Sequence, residues 1–300
     1  MPRFRIGSRG SPLALAQAHM VRDALIATLG WSADELGVVV IKTTGDKVQD
    51  RPLAEIGGKA LWTKELDVAL LAGEIDCAVH SMKDVETIRP DAITIAAMLE
   101  REDVRDRIVG ADSIAALKQG AVVGTSSPRR AAQVRRLRPD VRTLSFRGNV
   151  DTRLAKLAAG EADATLLASA GLRRLERNDV GTPIELSEML PAASQGAVGI
   201  ECRAEDLATR EFLSTINHEI TWQCVMAERA FLAALHADCH SPVGAYATAE
   251  HGTVRLRGEL LSEDGAAHVA GEHLGDDAPE RLARELLDRA PAEIRRLFAA

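Results

Sequence analysis

Aromatic residues are scarce in this chain of 300 residues, where phenylalanine, tryptophan and tyrosine together make up 3%. The formal net charge is −7 at pH 7. Proteins that bind nucleic acid without sequence preference combine a basic face with aromatic side chains on which the bases stack. Because this chain is acidic and poor in aromatic residues, we predict that it has no nucleic-acid partner.

Long apolar runs and closely paired cysteines are also lacking. The start of the chain contains no apolar signal segment, and no uninterrupted apolar run approaches the roughly 20 residues that a membrane helix needs. The four cysteines are far apart and form no Cys-x-x-Cys pair, which favours reduced thiols over a disulfide framework or a zinc knuckle. We therefore predict a cytoplasmic protein with no membrane partner.

The chain does contain a repeated alternation of short apolar runs and amphipathic helical patterns. This alternation predicts βαβ units with parallel sheets, and it occurs in two stretches of similar design. The predicted strands are Phe4–Gly7, Val38–Lys42 and Ile75–His80, then Ala121–Gly124, Val141–Leu144 and Ala162–Leu167, and the predicted helices between them include Pro128–Leu137 and Val150–Ala159. Beyond Thr221 a helix, three alternating segments and a terminal helix follow. The sequence thus predicts an α/β protein of two similar lobes with a small α+β domain at the C-terminal end.

Two segments are similar to each other and support this duplication. Ile6–Pro12 and Val123–Pro128 both run from a strand through glycine and hydroxyl residues into a helix with proline in its first turn. Chance similarity between two α/β segments is the alternative explanation. If the duplication is real, the N-termini of both helices face a shared cleft that favours anions.

Arginines are concentrated in one part of this acidic chain. Residues 121–156 contain nine basic residues and two acidic ones. The planar guanidinium matches the two oxygens of a carboxylate or phosphate, so the concentration predicts a polyanionic ligand. The Gly-x-x-x-x-Gly-Lys-Ser/Thr loop of many phosphate-binding proteins is absent, which makes carboxylates at least as suitable as phosphates.

The segment from Gly124 to Arg130 places hydroxyls, backbone N–H groups and two arginines at a predicted helix start. Cations in a first turn oppose the helix dipole, so we expect an anionic ligand to neutralise Arg129 and Arg130. Arg147 lies beside a glycine, where a ligand could approach the backbone closely. The later arginines of this helix, Arg135, Arg136 and Arg138, are expected to be solvated helix surface.

A second group of polar residues, from His80 to Asp84, directly follows a predicted strand. One interpretation is a helix N-cap at Ser81 or Asp84 with Lys83 in solvent. The other is a catalytic site, because an aspartate among cations stays ionised and can stabilise positive charge that develops on an anionic substrate. The nearby arginines favour the catalytic interpretation.

Cys239 lies on a predicted loop between a helix and Gly244. It could belong to a zinc site with His236 and His240, be an inert thiol, or be a point of covalent attachment, and the spacing favours none of these. The other three cysteines fall in apolar strands or a helix and are expected to be buried small hydrophobic residues.

Taken together, the motifs resemble the porphobilinogen deaminase family over essentially the full length of the chain. The matching segments are Arg9-Gly10-Ser11-Pro12-Leu13-Ala14, Gly57-Gly58-Lys59, Lys64-Glu65-Leu66, His80-Ser81-Met82-Lys83-Asp84-Val85, Arg101-Glu102-Asp103, Gly124-Thr125-Ser126-Ser127, Arg129-Arg130, Arg147-Gly148-Asn149, Gln195-Gly196-Ala197 and Cys239-x-x-Pro242. Their number and order make coincidence implausible.

The resemblance implies two doubly wound, type II periplasmic-binding-protein-like lobes and a small α+β C-terminal domain. Their expected boundaries are 1–98 with 197–216, 103–191, and 219–300. It further implies a monomer with a dipyrromethane cofactor attached to Cys239 by a thioether. Such an enzyme joins four porphobilinogen molecules head to tail, releases ammonia at each step and frees the linear tetrapyrrole hydroxymethylbilane. Because every pyrrole ring carries an acetate and a propionate, this chemistry agrees with the arginine-rich region.

The resemblance also implies roles for individual residues, with no metal site. Asp84 would be the central catalytic carboxylate, and Lys83 would be its catalytic neighbour. The residues expected to bind the carboxylates of substrate and cofactor, or to lie near them, are Arg9, Ser11, Lys59, Ser81, Thr125, Ser127, Arg129, Arg130, Arg147, Arg153, Arg174 and Gln195.

Some positions depart from the family pattern. Glu86 replaces a common proline, Ser194 replaces a frequent glycine, and Ala237-Asp238 replaces Gly-Gly, which brings the conformation of the loop before Cys239 into question. The main alternative function is a non-catalytic, two-lobed cytoplasmic carboxylate-binding protein. A protein that acts on phosphorylated or nucleic-acid ligands is a third class, but it would leave Asp84 and Cys239 without a role.

Overall fold

The computed structural model of the chain describes residues 2–42 and 63–298. The chain divides into two compact units: a first unit of Met1–Arg101 and Ala197–Trp222, and a second unit of Glu102–Gly196 and Gln223–Ala300. The expected division into three domains stays a prediction. Within the described ranges, no helix combines the length and the apolar character that crossing a membrane requires.

The secondary structure follows the predicted alternation of strands and helices. Up to residue 101 its elements are β1 Phe4–Arg9, α1 Pro12–Leu29, β2 Leu36–Ile41, α2 Lys64–Leu71, β3 Cys77–Ser81 and β4 Ile93–Met98. From 102 to 196 they are β5 Asp106–Val109, β6 Val122–Gly124, α3 Pro128–Leu137, β7 Arg142–Leu144, α4 Val150–Ala158, β8 Ala164–Ala168, α5 Ser169–Arg174 and β9 Thr182–Pro183. The remaining elements are β10 Val198–Arg203, α6 Leu207–Ser214, α7 Glu219–Ala234, β11 Val243–Glu250, β12 Thr253–Leu261, β13 His268–Leu274, α8 Ala278–Arg289 and α9 Ala292–Arg295.

Two five-stranded sheets form the centres of the two lobes. Their strand orders are β2-β1-β3-β10-β4 in the first unit and β7-β6-β8-β5-β9 in the second. In each sheet, the first βαβ strand lies between two parallel neighbours, and one antiparallel strand is inserted further along. The two lobes therefore share one topology, as the duplication predicts.

The sheets are mixed rather than parallel, and this part of the prediction is wrong. β10 runs antiparallel to β3 and β4, and β5 runs antiparallel to β8 and β9. Each antiparallel strand immediately follows a segment that leads from one unit to the other, so no helix precedes it that could set a parallel βαβ connection. The local pattern of β5 is short and begins within a charged stretch, which is why it escaped the sequence analysis.

The C-terminal part of the second unit is a β-meander covered by helices. β11, β12 and β13 pair antiparallel in that order. Apolar side chains of α7 and α8 pack against this sheet, and the core includes Phe231, Leu256, Leu260, Leu282 and Leu286. The predicted α/β class with a small α+β domain at the C-terminal end is confirmed.

Candidate active site

Asp84 lies on a short turn that directly follows a strand and is anchored to the sheet. β3 ends at Ser81, and a single 3-10 turn follows from Met82 to Asp84. Met82 is fully buried, and its N–H donates to the Ala197 carbonyl at 3.1 Å. Its sulfur lies so close to Gly199 that a Cβ at that glycine would clash with it. The buried methionine holds the turn to the sheet, while Asp84 remains exposed.

The first unit brings five of the predicted site residues to one edge of its sheet. β1 and β3 are adjacent parallel strands, so their carboxyl ends lie side by side. The residues at or just beyond these ends are Arg9, Ser11, Ser81, Lys83 and Asp84.

Two of these residues also have structural roles. The Ser11 hydroxyl accepts from the Ala14 N–H at 3.3 Å and caps α1. The buried side chain of Gln17 on α1 donates to the Ser81 hydroxyl at 2.8 Å. Gln17 was not among the predicted site residues, although a glutamine among the apolar residues of a buried helix face is a detectable signal.

A buried guanidinium lies five residues beyond Asp84. Arg89, whose side chain is 8% exposed, donates to Glu86 at 2.6 Å, to Asp67 at 2.6 Å and to Glu201 at 2.8 Å. His80 Nε2 lies 3.1 Å from Glu201, at ion-pair distance but without the angles of a hydrogen bond. Burial alone would raise the pKa of Glu201, but His80 and Arg89 outweigh burial and lower that pKa to about 2. For Asp67, burial prevails over Arg89 and raises the pKa.

In the second unit, the predicted arginine pair at the start of α3 is buried around Asp106. Arg129 donates to one oxygen of Asp106 at 2.8 Å, and Arg130 donates to the other at 2.7 Å. Gln195 Nε2 donates to the same carboxylate at 2.8 Å. Burial would raise the pKa of Asp106, but Arg129 and Arg130 outweigh it and hold the pKa well below its usual range.

This arrangement gives the two arginines a shared partner within the protein. Asp106 carries one negative charge against their two positive charges, so it compensates only half of the charge of the pair. The expectation that an anionic ligand neutralises the pair stays a prediction. Asp106 was not among the predicted site residues; it begins strand β5 and is buried. The apolar pair Ile108 and Val109, two residues after Asp106, was the available signal.

Four predicted site arginines each have one buried guanidinium nitrogen without an acceptor among the described residues. Within residues 2–42 and 63–298, no acceptor is found for the buried Nε of Arg129, Arg130 and Arg174 or for the buried Nη1 of Arg147. Burial also lowers the pKa of Arg174 to about 10, while its Nη2 donates to the Gly196 carbonyl at 2.6 Å. The buried Nε of Arg107 and of Arg136 likewise has no acceptor among the described residues, so this feature does not by itself distinguish ligand-binding arginines.

The other predicted residues of the second unit hold the segments that carry these arginines. The Ser127 hydroxyl accepts from the Arg130 N–H at 3.4 Å and caps α3. Thr125 is buried, and its hydroxyl accepts from the Ser127 N–H at 3.2 Å. Arg153 Nε donates to the Gly148 carbonyl at 3.0 Å, which ties α4 to the loop that carries Arg147.

The loop with Cys239 begins where α7 ends. His236 adopts the left-handed conformation with φ 52°, and the Ala237 N–H donates to the Leu232 carbonyl at 2.9 Å. The Asp238 carboxylate then accepts from the His240 N–H at 2.8 Å. Cys239 is exposed, whereas the other three cysteines are buried as predicted. Neither Ala237 nor Asp238 has positive φ, so the loop does not need the two glycines that the family often has there.

Comparisons with known proteins decide the family. The model "Porphobilinogen deaminase, dipyromethane cofactor binding domain" matches residues 4–211, and "Porphobilinogen deaminase, C-terminal domain" matches residues 222–290. The chain belongs to the porphobilinogen deaminase family. The predicted resemblance is confirmed, and so is the dipyrromethane cofactor as the group for which this family's first domain is named. The attachment to Cys239 stays a prediction.

Porphobilinogen deaminases of bacteria and plants are similar to the chain along nearly all of its length. The protein from Sphingopyxis alaskensis is 59% identical over 99% of this chain and 96% of its own length. That from Paracoccus denitrificans is 52% identical over 97% of this chain and 95% of its own. The chloroplastic protein from Oryza sativa subsp. japonica is 50% identical over 88% of this chain and 75% of its own.

Among solved structures, an ABC-transporter periplasmic substrate-binding protein from Coxiella burnetii resembles the chain with a TM-score of 0.44. It is 12% identical and covers 73% of this chain and 94% of its own. The predicted pair of type II periplasmic-binding-protein-like lobes agrees with the shared strand order of the two five-stranded sheets.

One predicted site residue lies outside the described ranges, and three further arginines have surroundings other than those expected. Lys59, like its neighbours Gly57 and Gly58, lies outside the described residues. Arg135, Arg136 and Arg138 are not simply solvated, because each donates to backbone carbonyls of other segments in the second unit. Together with Arg142, the first two line a concavity of about 660 Å³. Among the residues of the two described ranges, no cluster of three or more His, Cys, Asp or Glu side chains could hold a metal ion.

Proposed function

We propose that this protein is a hydroxymethylbilane synthase, which joins four porphobilinogen molecules head to tail and releases ammonia at each addition. Membership of the porphobilinogen deaminase family over almost the whole chain supports this function. The structural observation that carries it is the exposed carboxylate of Asp84, at the sheet edge of the first unit that also bears Arg9 and Lys83. Such an edge suits a substrate that carries carboxylate side groups and develops positive charge as it reacts.

Asp84 is the residue that we propose to act on the reacting atoms. At each addition, a carbon–carbon bond forms between two rings, the bond from carbon to the amino group breaks, and the attacked ring position loses its proton. Positive charge develops on the pyrrole system while ammonia leaves. An exposed carboxylate can accept hydrogen bonds from pyrrole N–H groups and stabilise that charge. Lys83, its neighbour, supplies a positive charge for a substrate carboxylate.

The arginines are proposed to bind and orient the rings through their side groups. Asp106 and Gln195 hold the guanidinium planes of Arg129 and Arg130, so few rotamers remain for these two side chains. Fixed donors lose little entropy when a carboxylate binds, which favours a defined orientation of each ring. Arg9, Ser11, Lys59, Ser81, Thr125, Ser127 and Arg153 are proposed to complete the binding of acetate and propionate groups.

Cys239 is the proposed attachment point of the dipyrromethane cofactor, through a thioether. When bound, this group supplies the first pyrrole carbon to which substrate is joined. The exposure of Cys239, on a loop that is held by Asp238 and Ser241, suits covalent modification. The three buried cysteines do not, and burial raises the pKa of the Cys77 and Cys202 thiols. We further propose that the protein acts in the cytoplasm as a monomer.

Intact mass and turnover test this function together. We expect the denatured wild-type protein, expressed where porphobilinogen is available, to exceed its sequence mass by two linked pyrrole units. Cys239→Ser should lack this surplus, while Cys77→Ser, a matched buried cysteine, should keep it. Asp84→Asn should keep both the surplus and the thermal midpoint but lose on the order of 100-fold or more in kcat.

Two results would count against this function. A wild-type protein that carries no surplus mass and consumes no porphobilinogen, yet binds it reversibly, would identify a carboxylate-binding protein. Turnover of Asp84→Asn near the wild-type rate would exclude the proposed role of this carboxylate.

A further inference from the structure

We propose that Arg89 is a positioning residue for Asp84, an inference that rests on the proposed function. Arg89 and its partners Thr63, Asp67, Glu86 and Glu201 are called the Arg89 junction below. The junction lies in the first unit, directly beyond the turn that carries Asp84.

The Arg89 junction connects three segments of the first unit. The Arg89 guanidinium donates from Nε to Glu201 on β10, from Nη2 to Asp67 on α2 and from Nη1 to Glu86 in the loop. Thr63, at the start of α2, donates to Glu86 at 2.8 Å. The side chains of Arg89 and Glu201 are 8% and 0% exposed, so these contacts are shielded from water. All three guanidinium nitrogens therefore donate hydrogen bonds, and together they join the loop to the sheet and to α2.

Asp84 is held between two anchors because of this junction. On its N-terminal side, Met82 is buried against Gly199, and its N–H donates a hydrogen bond to the Ala197 carbonyl. On its C-terminal side, Glu86 lies two residues away and is tied to Arg89 and Thr63. The exposed Asp84 carboxylate depends on the position of the backbone between these anchors.

The charges of the junction explain why Arg89 in particular is required. Among the described residues, its guanidinium faces three carboxylates, those of Asp67, Glu86 and Glu201, in a largely buried space. Without it, these carboxylates would repel one another or take up protons, and the loop with Glu86 would be driven outward. A lysine could not reproduce the contacts, because a single ammonium lacks the planar fork that reaches all three groups.

Displacement of a catalytic group affects turnover more than it affects substrate binding. A shift of about 1 Å can lower a rate about 100-fold, whereas the arginines that bind substrate lie elsewhere in the chain. We therefore expect Arg89→Met to lower kcat about 10-fold to 100-fold and to change KM less than about 3-fold. Arg89→Lys should fall between this variant and the wild type. Glu86→Gln, which keeps an oxygen acceptor for Arg89, should retain kcat within about 3-fold.

Arg203→Met is the matched control. Arg203 is a partly buried arginine of the same unit that donates to Asp206 at 2.7 Å and to the carbonyls of Leu70 and Ile75. It lies at the opposite end of β10 from Val198, which pairs with Ser81 next to the catalytic turn. Its replacement should lower the thermal midpoint but leave kcat of the folded protein unchanged.

The experiment measures kcat, KM, thermal midpoint and cofactor-derived mass for the cofactor-loaded wild type and each variant, well below the lowest midpoint. Reduced kcat in Arg89→Met, with normal surplus mass and normal kcat in Arg203→Met, would support the positioning role. Unchanged kcat in Arg89→Met, or an equal loss of kcat in Arg203→Met, would overturn it. If Arg89→Met does not fold, kcat of Arg89→Lys is compared with kcat of Glu86→Gln. Equal kcat in those two variants would also overturn the positioning role. A wild type without turnover would instead refute the proposed function itself.

Discussion

Asp106 is a single buried carboxylate that is shared by two arginines and a glutamine. Each oxygen is used, by Arg129 on one side and by Arg130 and Gln195 on the other. Such a carboxylate compensates one of the two positive charges and sets the direction of the remaining donors of both guanidinium groups. The arginine pair should therefore be understood as a preorganised binding group rather than as two independent charges.

Replacement of this carboxylate should be severe. We expect Asp106→Asn to lower the free energy of unfolding by about 3 kcal/mol or more, because two buried guanidinium groups lose their counter-charge. It should also reduce cofactor loading, which depends on the orientation of both arginines. Chemical denaturation and intact mass measure the two effects. Asp140→Asn, which alters the exposed partner of Arg138, should cause a much smaller change; equal destabilisation by both variants would contradict this account.

Two serines show what can be predicted from residue type and what cannot. Ser11 and Ser127 were singled out as ligand-binding hydroxyls, and the structure uses both as N-caps of helices. These roles are compatible, since a hydroxyl that accepts from a backbone N–H can still donate its own proton to a carboxylate. Sequence motifs predicted the position of these groups, but not that they are already engaged.

At the scale of elements, the end of α7 determines how Cys239 is presented. The N–H groups of His236 and Ala237 donate to the carbonyls of Ala233 and Leu232, which is a Schellman motif with His236 in the left-handed position. Glycine is the usual residue there, because a side chain makes that conformation unfavourable. Ala237-Asp238, which replaces the family's Gly-Gly, begins one residue after His236. Since the left-handed conformation falls on His236 and not on these two residues, their side chains add no backbone strain.

A glycine at this position should stabilise the helix end. We expect His236→Gly to raise the free energy of unfolding by about 0.5–1 kcal/mol, because the left-handed conformation then carries no steric penalty. Asp238→Gly is the contrasting variant, since it removes the acceptor of the His240 N–H and should be destabilising. Thermal unfolding compares them. Greater stability of Asp238→Gly than of His236→Gly would show that the strain lies elsewhere.

Elements with strong local signals were predicted well, and those without them were missed. α3 runs from Pro128 to Leu137 as predicted, because Ser127 and Pro128 form a standard helix start. β5 was missed because its four residues are stabilised by pairing with β8 and β9, which are distant in sequence. Short strands depend on their neighbours more than on their own composition.

At the scale of the whole molecule, buried carboxylates make stability depend on pH. Because the folded-state pKa of Glu201 is lowered from 4.5 to about 2, its ionised form favours the folded state. This contribution, on the order of 3 kcal/mol, is complete above pH 4.5 and is lost as the pH falls toward 2. We therefore expect unfolding of the first unit to become easier throughout that interval.

Tryptophan fluorescence can follow this loss, because Trp31 and Trp222 belong to the first unit. Glu201→Gln should be less stable at neutral pH and should show a flatter dependence between pH 4.5 and 2. Glu205→Gln, at an exposed glutamate just beyond the same strand, should keep the wild-type dependence. Identical profiles for wild type and Glu201→Gln would contradict the lowered pKa.

The sequence by itself determined the alternation of strands and helices, the duplication of the lobes, the family and the identity of the polar residues at the strand ends. These features depend on local periodicity, capping residues and contiguous motifs, which can be detected along the chain. Only the tertiary structure decided that Asp106 pairs with both Arg129 and Arg130, and that Arg89 joins Asp67, Glu86 and Glu201. Such pairings join residues far apart in sequence, and burial in a common core selects among many possible partners.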